Sequence, residues 1–283
     1  MSDLSYRGSA LDAETALALL QWQAELGADE PCLDEPIDRY DEARAAEAER
    51  SAARAPIATA APQSAPRPPT PAAAAADALA EQVTIATRLA AAATTLEELA
   101  EAQRGFDGIE LRKGARNFCF ADGNPKARVM VIGEAPGEEE DLRGLPFVGR
   151  AGQLLDRMFA AIHLARDAVD AERALYIANV LTWRPPGNRR PEPGEVAVML
   201  PFLARHVDLV DPEVIVLMGN TPCQAALDPQ VIRQGILRLR GNWTTAFGRP
   251  ALPMTHPSYL LRTPAAKREA WADLLSLSAR IDP

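Results

Sequence analysis

The sequence is poor in cysteine and has no long hydrophobic run, and each shortage excludes a class of protein. Its 283 residues include three cysteines, none of them in a CxxC pair. Neither a disulfide framework nor a complete four-thiolate metal site is therefore predicted. No apolar stretch approaches the roughly 20 residues that cross a bilayer. The first ten residues lack a basic region followed by an apolar one, so we expect a cytoplasmic protein with no membrane partner.

Basic residues are outnumbered, but the excess of acidic residues lies in one part of the chain. The formal net charge is −9, which by itself disfavours a polyanionic partner. Residues 1–80 hold 14 acidic and 6 basic side chains, whereas residues 81–283 hold 25 acidic and 24 basic. The second part is close to neutral, so a nucleic-acid partner stays compatible with it.

Composition divides the chain near residue 80. Residues 51–80 contain 14 alanines and 6 prolines, which favours a flexible tether over a packed core. Before this tether, apolar residues at helical spacing around positions 13–24 predict a helix within an acidic extension. We therefore expect an extension with its linker at 1–80 and one folded domain at 81–283.

The folded part has the pattern of an α/β domain, in which short β-branched runs alternate with amphipathic segments. The strands are mostly apolar, which is typical of a parallel sheet covered on both faces. Ligands of such sheets bind where the strands end. Predicted strands are 128–132, 175–180, 214–218 and 251–255, and predicted helices are 83–104, 150–163, 195–208, 221–227 and 265–280.

The loop after the first strand, GEAPGEEEDLRGLPFVGR, is rich in glycine and carboxylates. It contains no GxxxxGK[ST] or GxGxxG motif, and its five acidic residues would repel phosphate. The segment is therefore interpreted as a carboxylate-bearing catalytic loop, with Glu134 and Glu140 among its candidates.

Two other strand ends carry unusual polar residues. Asn179 ends the second strand, where its amide could read the edge of a flat heterocycle or could only satisfy the turn backbone. His256 follows the fourth strand in THPSYLLRTP and is one of three histidines in the chain. Leu260 and Leu261 could belong to the core, or they could form a wedge beside a phosphate anchor at Arg262. The third strand ends in MGNTPCQAAL, to which we assign no catalytic role.

Five collinear motifs, GEAPGEEED, GLPFVGRAGQLLD, YIANV, RPPGNR and HPSYLLR, resemble those of the uracil-DNA glycosylase superfamily. The sequence is most similar to family 4, the iron–sulfur type, over about residues 100–283. The resemblance implies a three-layer α/β/α domain with a short, central, mainly parallel sheet. It also implies hydrolysis of the N-glycosidic bond of uracil in DNA, with uracil-containing DNA as the partner.

The resemblance assigns roles to individual residues. Phe147 would stack on the extruded uracil, Asn179 would hydrogen-bond its Watson–Crick edge, and His256 would hydrogen-bond its O2 atom. Ala135 stands where the best-known branch of the superfamily has a water-activating Asp, so Glu134 or Glu140 is expected to handle the water. Gly137 replaces an aromatic residue that rejects a 5-methyl group in that branch, which predicts tolerance of other damaged bases.

DNA contacts are expected from backbone amides and from a few side chains of the Gly/Pro-rich loops. Arg189 and its neighbour Arg190 could instead form a solvated turn. We expect the enzyme to be a monomer. The predicted DNA-binding residues are Arg184, Arg189, Ser258, Leu260, Leu261 and Arg262.

Family 4 enzymes hold a 4Fe-4S cluster with four cysteines, and this sequence departs from that pattern. The four positions are occupied by Phe106, Ile109, Trp183 and Met199. We therefore predict no cofactor and a hydrophobic plug of these four side chains in mutual contact. The departure also leaves other hypotheses open: a non-catalytic or, less favoured, a covalent uracil-DNA-binding relative, and an unrelated small-molecule hydrolase of α/β form.

Overall fold

The computed structural model describes residues 5–6, 9–10, 12–25 and 71–282, and the chain divides into two units between residues 67 and 68. In the first unit, two-residue strands β1 (Ser5–Tyr6) and β2 (Ser9–Ala10) pair antiparallel. Helix α1 (Ala13–Glu25) follows, and confirms the helix predicted there. Residues 51–70 of the predicted tether lie outside the described residues.

The second unit is built on a six-stranded sheet. Its strands stand in the order β3-β5-β4-β6-β8-β7, in which the inner four are parallel and the two edge strands are antiparallel to their neighbours. This arrangement confirms the predicted mainly parallel sheet. The strands are β3 (Ala121–Gly123), β4 (Val129–Gly133), β5 (Leu175–Asn179), β6 (Val214–Met218), β7 (Thr244–Ala246) and β8 (Arg249–Met254).

Helices cover both faces of this sheet, as predicted for a three-layer domain. They are α2 (Pro71–Ala92), α3 (Leu96–Gly105), α4 (Leu111–Gly114), α5 (Glu138–Arg143), α6 (Arg150–Ala160), α7 (Pro193–Val210), α8 (Asn220–Ala226), α9 (Pro229–Ile232), α10 (Ile236–Leu239), α11 (Pro257–Arg262) and α12 (Lys267–Ile281). Within the described ranges, none of these helices has both the length and the apolar character that a membrane crossing requires.

The alternation of side chains along β4 shows why two hydrophobic cores form. Met130 and Ile132 point into one cluster, here called the front core, which α2, α3 and α7 also line. Val129 and Val131 point into the opposite cluster, the back core, which α6 and α12 line. Because successive strand residues face opposite sides, an apolar strand buried on both faces needs helices on both.

The beginning of the folded domain differs from the prediction in one respect. The helix predicted at 83–104 is two helices, α2 and α3, because Thr95 caps a new helix by accepting a hydrogen bond from the backbone N–H of Glu98. Helix α2 also includes residues 71–80, which composition assigned to the tether. The prediction failed there because an alanine-rich segment becomes helical once its far end packs, here through Ala86 and Ala90.

Candidate active site

The carboxyl ends of the parallel strands open into one cavity of about 850 Å³. Loops that follow β4, β5, β6 and β8 all contribute side chains to it. Most of the predicted site residues line this cavity: Glu134, Ala135, Gly137, Glu140, Phe147, Asn179, Arg189, His256, Ser258 and Arg262. The rule that ligands bind at strand ends therefore located the cavity correctly.

Asn179 is the last residue of β5 and pairs in register with Gly133 of β4. Its side chain is 4% exposed, and its Oδ1 atom has no hydrogen-bond partner in the described part of the chain. A buried polar atom without a partner costs free energy, so its presence in a cavity points to a ligand that supplies the missing donor. The turn role considered for Asn179 does not account for this atom.

Phe147 places its ring in the cavity and has a backbone conformation that residues other than glycine rarely adopt. Its φ angle is 54°, in the left-handed region. Gly152 makes this possible, because a Cβ atom there would lie 1.8 Å from the carbonyl oxygen of Phe147. Gly133 makes room for the ring, since its Cβ would lie 2.4 Å from both Phe147 Cε2 and Asn179 Oδ1.

Arg166, which sequence reasoning missed, clamps the loop that carries Phe147. Its guanidinium donates hydrogen bonds to the carbonyl oxygens of Pro146 (3.0 Å) and Phe147 (2.8 Å). It also forms ion pairs with Asp122 and Asp156, at 2.8 Å each. The planar fork of arginine suits such a junction because it offers five donors in fixed directions.

His256 follows β8 and stands at the N-terminus of α11. Its Nδ1 atom accepts a hydrogen bond from the backbone N–H of Ser258 at 3.2 Å. Burial lowers the pKa of His256 to about 4, and the charge of Arg262 acts in the same direction, against the opposing effect of Glu140. The imidazole is therefore neutral near pH 7, with its proton on Nε2, because Nδ1 is already an acceptor.

The three side chains converge, as the sequence motifs predict. The rings of Phe147 and His256 lie 5.5 Å apart, centroid to centroid, and are tilted by 31°. Asn179 and Phe147 meet above the same glycine, Gly133. An aromatic face, an amide and a neutral imidazole thus border one space, and this set can hold a flat ring that has polar edges.

The two candidate carboxylates differ in how they are held. Glu140 accepts hydrogen bonds from three backbone N–H groups: that of Gly137 at 3.1 Å, and those of Val148 and Gly149 at 2.9 Å each. It therefore ties the two ends of the acidic loop together. Glu134 accepts one hydrogen bond, from Thr221 Oγ1 to Oε2 at 2.5 Å.

Two of the predicted DNA-binding arginines are engaged with other residues. Arg189 pairs with Glu195 through both terminal nitrogens, at 2.6 and 2.9 Å, which favours the turn role that was its alternative. Arg184 donates to Asn188 at 2.8 Å and lies outside the cavity lining. Arg262 is exposed and lines the cavity.

The wedge predicted from Leu260 and Leu261 is wrong for Leu260. This residue is 1% exposed, within α11, and belongs to the back core. Leu261 is partly buried and packs against the same core. A wedge would need Leu260 to be exposed, but Pro257 at the first position of α11 starts a helix whose apolar side faces inward. The core position that was the alternative therefore applies to Leu260.

The residues at the four positions that the resemblance assigns to cluster ligands do not fit an iron–sulfur cluster. Phe106, Ile109, Trp183 and Met199 all belong to the front core, and none is more than 6% exposed. None offers a thiolate, and the described residues contain no group of three or more metal-ligating side chains. Pairwise contact among all four stays a prediction.

The two cysteines of the described residues are buried thiols. Burial raises the pKa of Cys119 to about 12, and the charges of Asp141 and Glu140 add to this effect. Burial likewise raises the pKa of Cys223 to about 12. Neither is poised to become a metal-binding thiolate.

A mainly parallel α/β sheet with an aromatic ring, an amide and an imidazole around a cavity at its strand ends defines an α/β protein with a ligand site at that edge of the sheet. Residues 120–275 match the family model described as the uracil DNA glycosylase superfamily, and the chain belongs to this superfamily. Its relatives include type-4 uracil-DNA glycosylases. It is 37% identical to that of Thermotoga maritima over 170 residues, which are 59% of this chain and 83% of the relative.

Two further type-4 uracil-DNA glycosylases show a similar degree of likeness. The chain is 35% identical to that of Pyrobaculum aerophilum over 186 residues, 63% of this chain and 91% of the relative. It is 34% identical to that of Saccharolobus solfataricus over 179 residues, 61% of this chain and 80% of the relative.

Proposed function

We propose that this chain is a uracil-DNA glycosylase that removes uracil from DNA by hydrolysing the N-glycosidic bond. The observation that carries the proposal is the convergence of Phe147, Asn179 and His256 on one cavity, with Asn179 Oδ1 left without a partner. Membership of the superfamily and the type-4 relatives support the same reaction.

Asn179 would select the base. Uracil presents an N3–H donor and an O4 acceptor, so Asn179 Oδ1 would accept from N3–H while the amide nitrogen donates to O4. Cytosine presents an acceptor at N3 and an amino donor beside it. The acceptor Oδ1 of Asn179 would then face the acceptor N3, and the amide nitrogen would face the amino group, so neither hydrogen bond could form. Phe147 would add stacking of roughly 1–3 kcal/mol that does not distinguish among bases.

His256 would stabilise the leaving group. When the C1′–N1 bond breaks, its electron pair passes to the uracil ring and negative charge accumulates at O2. The Nε2–H of a neutral His256 would donate to this atom, and the interaction strengthens as the charge develops. The neutrality follows from the lowered pKa of His256.

Water would complete the reaction by attacking C1′ of the oxocarbenium-like sugar. The candidates for orienting it are the carboxylates of Glu134 and Glu140, which both line the cavity. The new C1′–O bond replaces the broken C1′–N1 bond, and the proton lost by water balances the charge of the departing base.

The base would reach the cavity by rotating out of the DNA stack, since a paired base cannot enter it. Arg262 and Ser258 at the rim would contact the DNA backbone. The absence of a bulky side chain at Gly137 supports tolerance of other damaged bases. A cytoplasmic location and a monomeric state remain predictions.

Release of free uracil from a labelled oligonucleotide tests the proposal. We expect the wild type to release uracil. We expect His256→Ala to lower the single-turnover rate by about 10²–10³-fold, the usual effect of losing one transition-state donor. We expect Asn179→Ala to lower this rate as well, because the base loses its hydrogen bonds to the amide. Retention of uracil DNA by the wild type without release would instead identify a non-catalytic binder.

The control replaces a histidine outside the cavity. His163 is exposed and has a φ angle of 63°, so His163→Asn keeps a residue that tolerates this conformation. Its rate should equal that of the wild type. Equal losses in all three variants would show that general instability, and not the cavity, explains the effect.

A further inference from the structure

We propose that Thr221 is a positioning residue that orients the Glu134 carboxylate toward the attacking water. The inference deepens the proposed function and rests on it. It concerns the loop after β6, to which the sequence motifs assign no catalytic role. The observation behind it is the hydrogen bond from Thr221 Oγ1 to Glu134 Oε2 at the wall of the cavity.

The contact has the features of a strong, fixed interaction. Its length of 2.5 Å lies at the short end of the range for O–H···O hydrogen bonds. Thr221 is 7% exposed, and a β-branched side chain has few rotamers. Gly219, with a φ angle of 100°, forms the turn that starts α8 and brings Thr221 beside Glu134. The hydroxyl therefore holds one carboxylate oxygen in a set direction.

This arrangement separates the roles of the two carboxylates. Both oxygens of Glu140 already accept backbone N–H groups, so Glu140 shapes the loop. In the described part of the chain, Glu134 Oε2 is held by Thr221 and Oε1 has no protein partner. Glu134 Oε1 is thus the carboxylate oxygen that remains free to accept a proton from water in the cavity.

The Thr221 hydroxyl would assist catalysis by fixing the orientation of the Glu134 carboxylate. As the C1′–N1 bond breaks and the C1′–O bond forms, one O–H bond of the water breaks and its proton passes to Glu134 Oε1. A carboxylate free to rotate would spend part of its time with neither oxygen facing C1′. Fixed geometry of this kind contributes to the chemical step more than to DNA affinity.

The test compares variants that keep or remove the hydroxyl. Thr221→Val preserves the branched shape without the donor, and Thr221→Ser keeps the donor. We expect Thr221→Val to lower the single-turnover rate of uracil release by about 10–100-fold, with the Kd for uracil-containing DNA changed by less than about twofold. Thr221→Ser should stay within about threefold of the wild type.

A double-mutant cycle then links the effect to its partner. In a Glu134→Gln background, Thr221→Val should have almost no further effect, because the group that it orients has lost its base function. Thr182→Val is the matched control: Thr182 is 2% exposed, its hydroxyl has no partner, and it lies outside the cavity lining. Its rate should match that of the wild type.

Several outcomes would overturn the proposal. A wild-type rate for Thr221→Val would show that the hydroxyl does nothing for catalysis. Equal losses of rate for Thr221→Val and Thr221→Ser would indicate that Thr221 serves packing. The same conclusion would follow if the rate losses of Thr221→Val and Glu134→Gln multiplied in the double variant. A wild type that releases no uracil would overturn the proposed function and this inference together, whereas the other outcomes leave the function standing.

Discussion

The protonation state of His256 decides whether it can serve as a neutral donor. Nδ1 accepts from the backbone of Ser258, and burial holds the pKa of His256 near 4. Above that pH the ring is neutral and its Nε2–H can act as a donor. Below it, Nδ1 gains a proton and the hydrogen bond from Ser258 is lost, because two donors would then face each other.

An ordinary histidine would titrate near pH 6.5, whereas the pKa of His256 is lowered to about 4. We therefore predict that uracil release shows no loss of activity attributable to His256 between about pH 8 and pH 5. The measurement is kcat/KM against pH for the wild type and for His256→Gln. A fall centred near pH 6.5 in the wild type that is absent from His256→Gln would contradict the prediction.

At the scale of single residues, sequence motifs predicted side chains that line the cavity but not those that hold them in place. Phe147, Asn179 and His256 stand in short motifs with distinctive neighbours. Thr221 is 87 residues from Glu134, and Arg166 is 19 residues from Phe147. Such partners meet only after the sheet forms, so no local pattern indicates them.

Among the elements, the part of the β4–α6 loop that carries Phe147 is held by the side chain of Arg166, which lies outside the loop. Arg166 holds the carbonyl oxygens of Pro146 and Phe147 while two aspartates balance its charge. The backbone of Phe147 is in a conformation that is unfavourable for a bulky residue. The clamp therefore offsets local strain at the position that presents the stacking ring.

We predict that Arg166→Gln lowers the free energy of unfolding by about 1–3 kcal/mol, because buried acceptors lose their donor. It should also slow uracil release by about tenfold or more, since the ring of Phe147 is displaced. Urea unfolding and single-turnover release measure the two effects.

Arg173→Gln is the control for this change. Arg173 is 47% exposed and pairs with Asp282 at 2.8 Å, a surface contact of little energetic value. We expect it to leave both measurements almost unchanged. Lost stability with full activity in Arg166→Gln would mean that the clamp supports the fold and not the position of Phe147.

The inner strands could be predicted from sequence because each is a continuous apolar run, and the four predictions agree with β4, β5, β6 and β8 to within a residue or two. The edge strands β3 and β7 were missed. Each has three residues, too few for any periodicity. Their pairing depends on the neighbouring strand, which a local pattern does not contain.

For the whole molecule, the front core joins α3, α7 and the sheet through apolar and aromatic side chains. Trp183 packs at 5.0 Å from Phe118, and Phe106 at 5.5 Å from Phe202, between ring centroids. Aromatic pairs at such distances stabilise a core beyond the area that they bury. The domain can thus bring these helices together through apolar packing.

We predict that the purified protein contains iron far below one atom per chain, measured by metal analysis of anaerobic preparations. Trp183→Ala should lower the free energy of unfolding by about 3–5 kcal/mol, the usual cost of a large buried aromatic residue. Trp271→Ala, at an exposed position, should change it by less than about 0.5 kcal/mol. About four iron and four sulfide ions per chain would contradict the prediction.

Most of the net negative charge of the chain lies in the residues that precede α2. Residues 1–70 hold 13 acidic and 6 basic side chains, so their removal takes the formal net charge from −9 to −2. We predict that a chain beginning at Pro71 keeps the thermal stability of the second unit and its rate of uracil release. Removal of residues 1–92 should lower Tm by at least about 5 °C, because it deletes the buried Ala86 and Ala90.

The same truncation measures how the acidic extension affects DNA binding. If its charge only repels phosphate, the chain beginning at Pro71 binds DNA more tightly than the full chain at low salt, and the difference shrinks as salt is added, since the Debye length falls to about 3 Å at 1 M. If the extension instead mimics DNA and competes for its site, the full chain should turn over more slowly than the shortened chain. The extension added as a separate peptide should then inhibit the shortened enzyme. Lower DNA affinity after truncation would contradict both accounts, because it would mean that residues 1–70 contribute contacts to DNA.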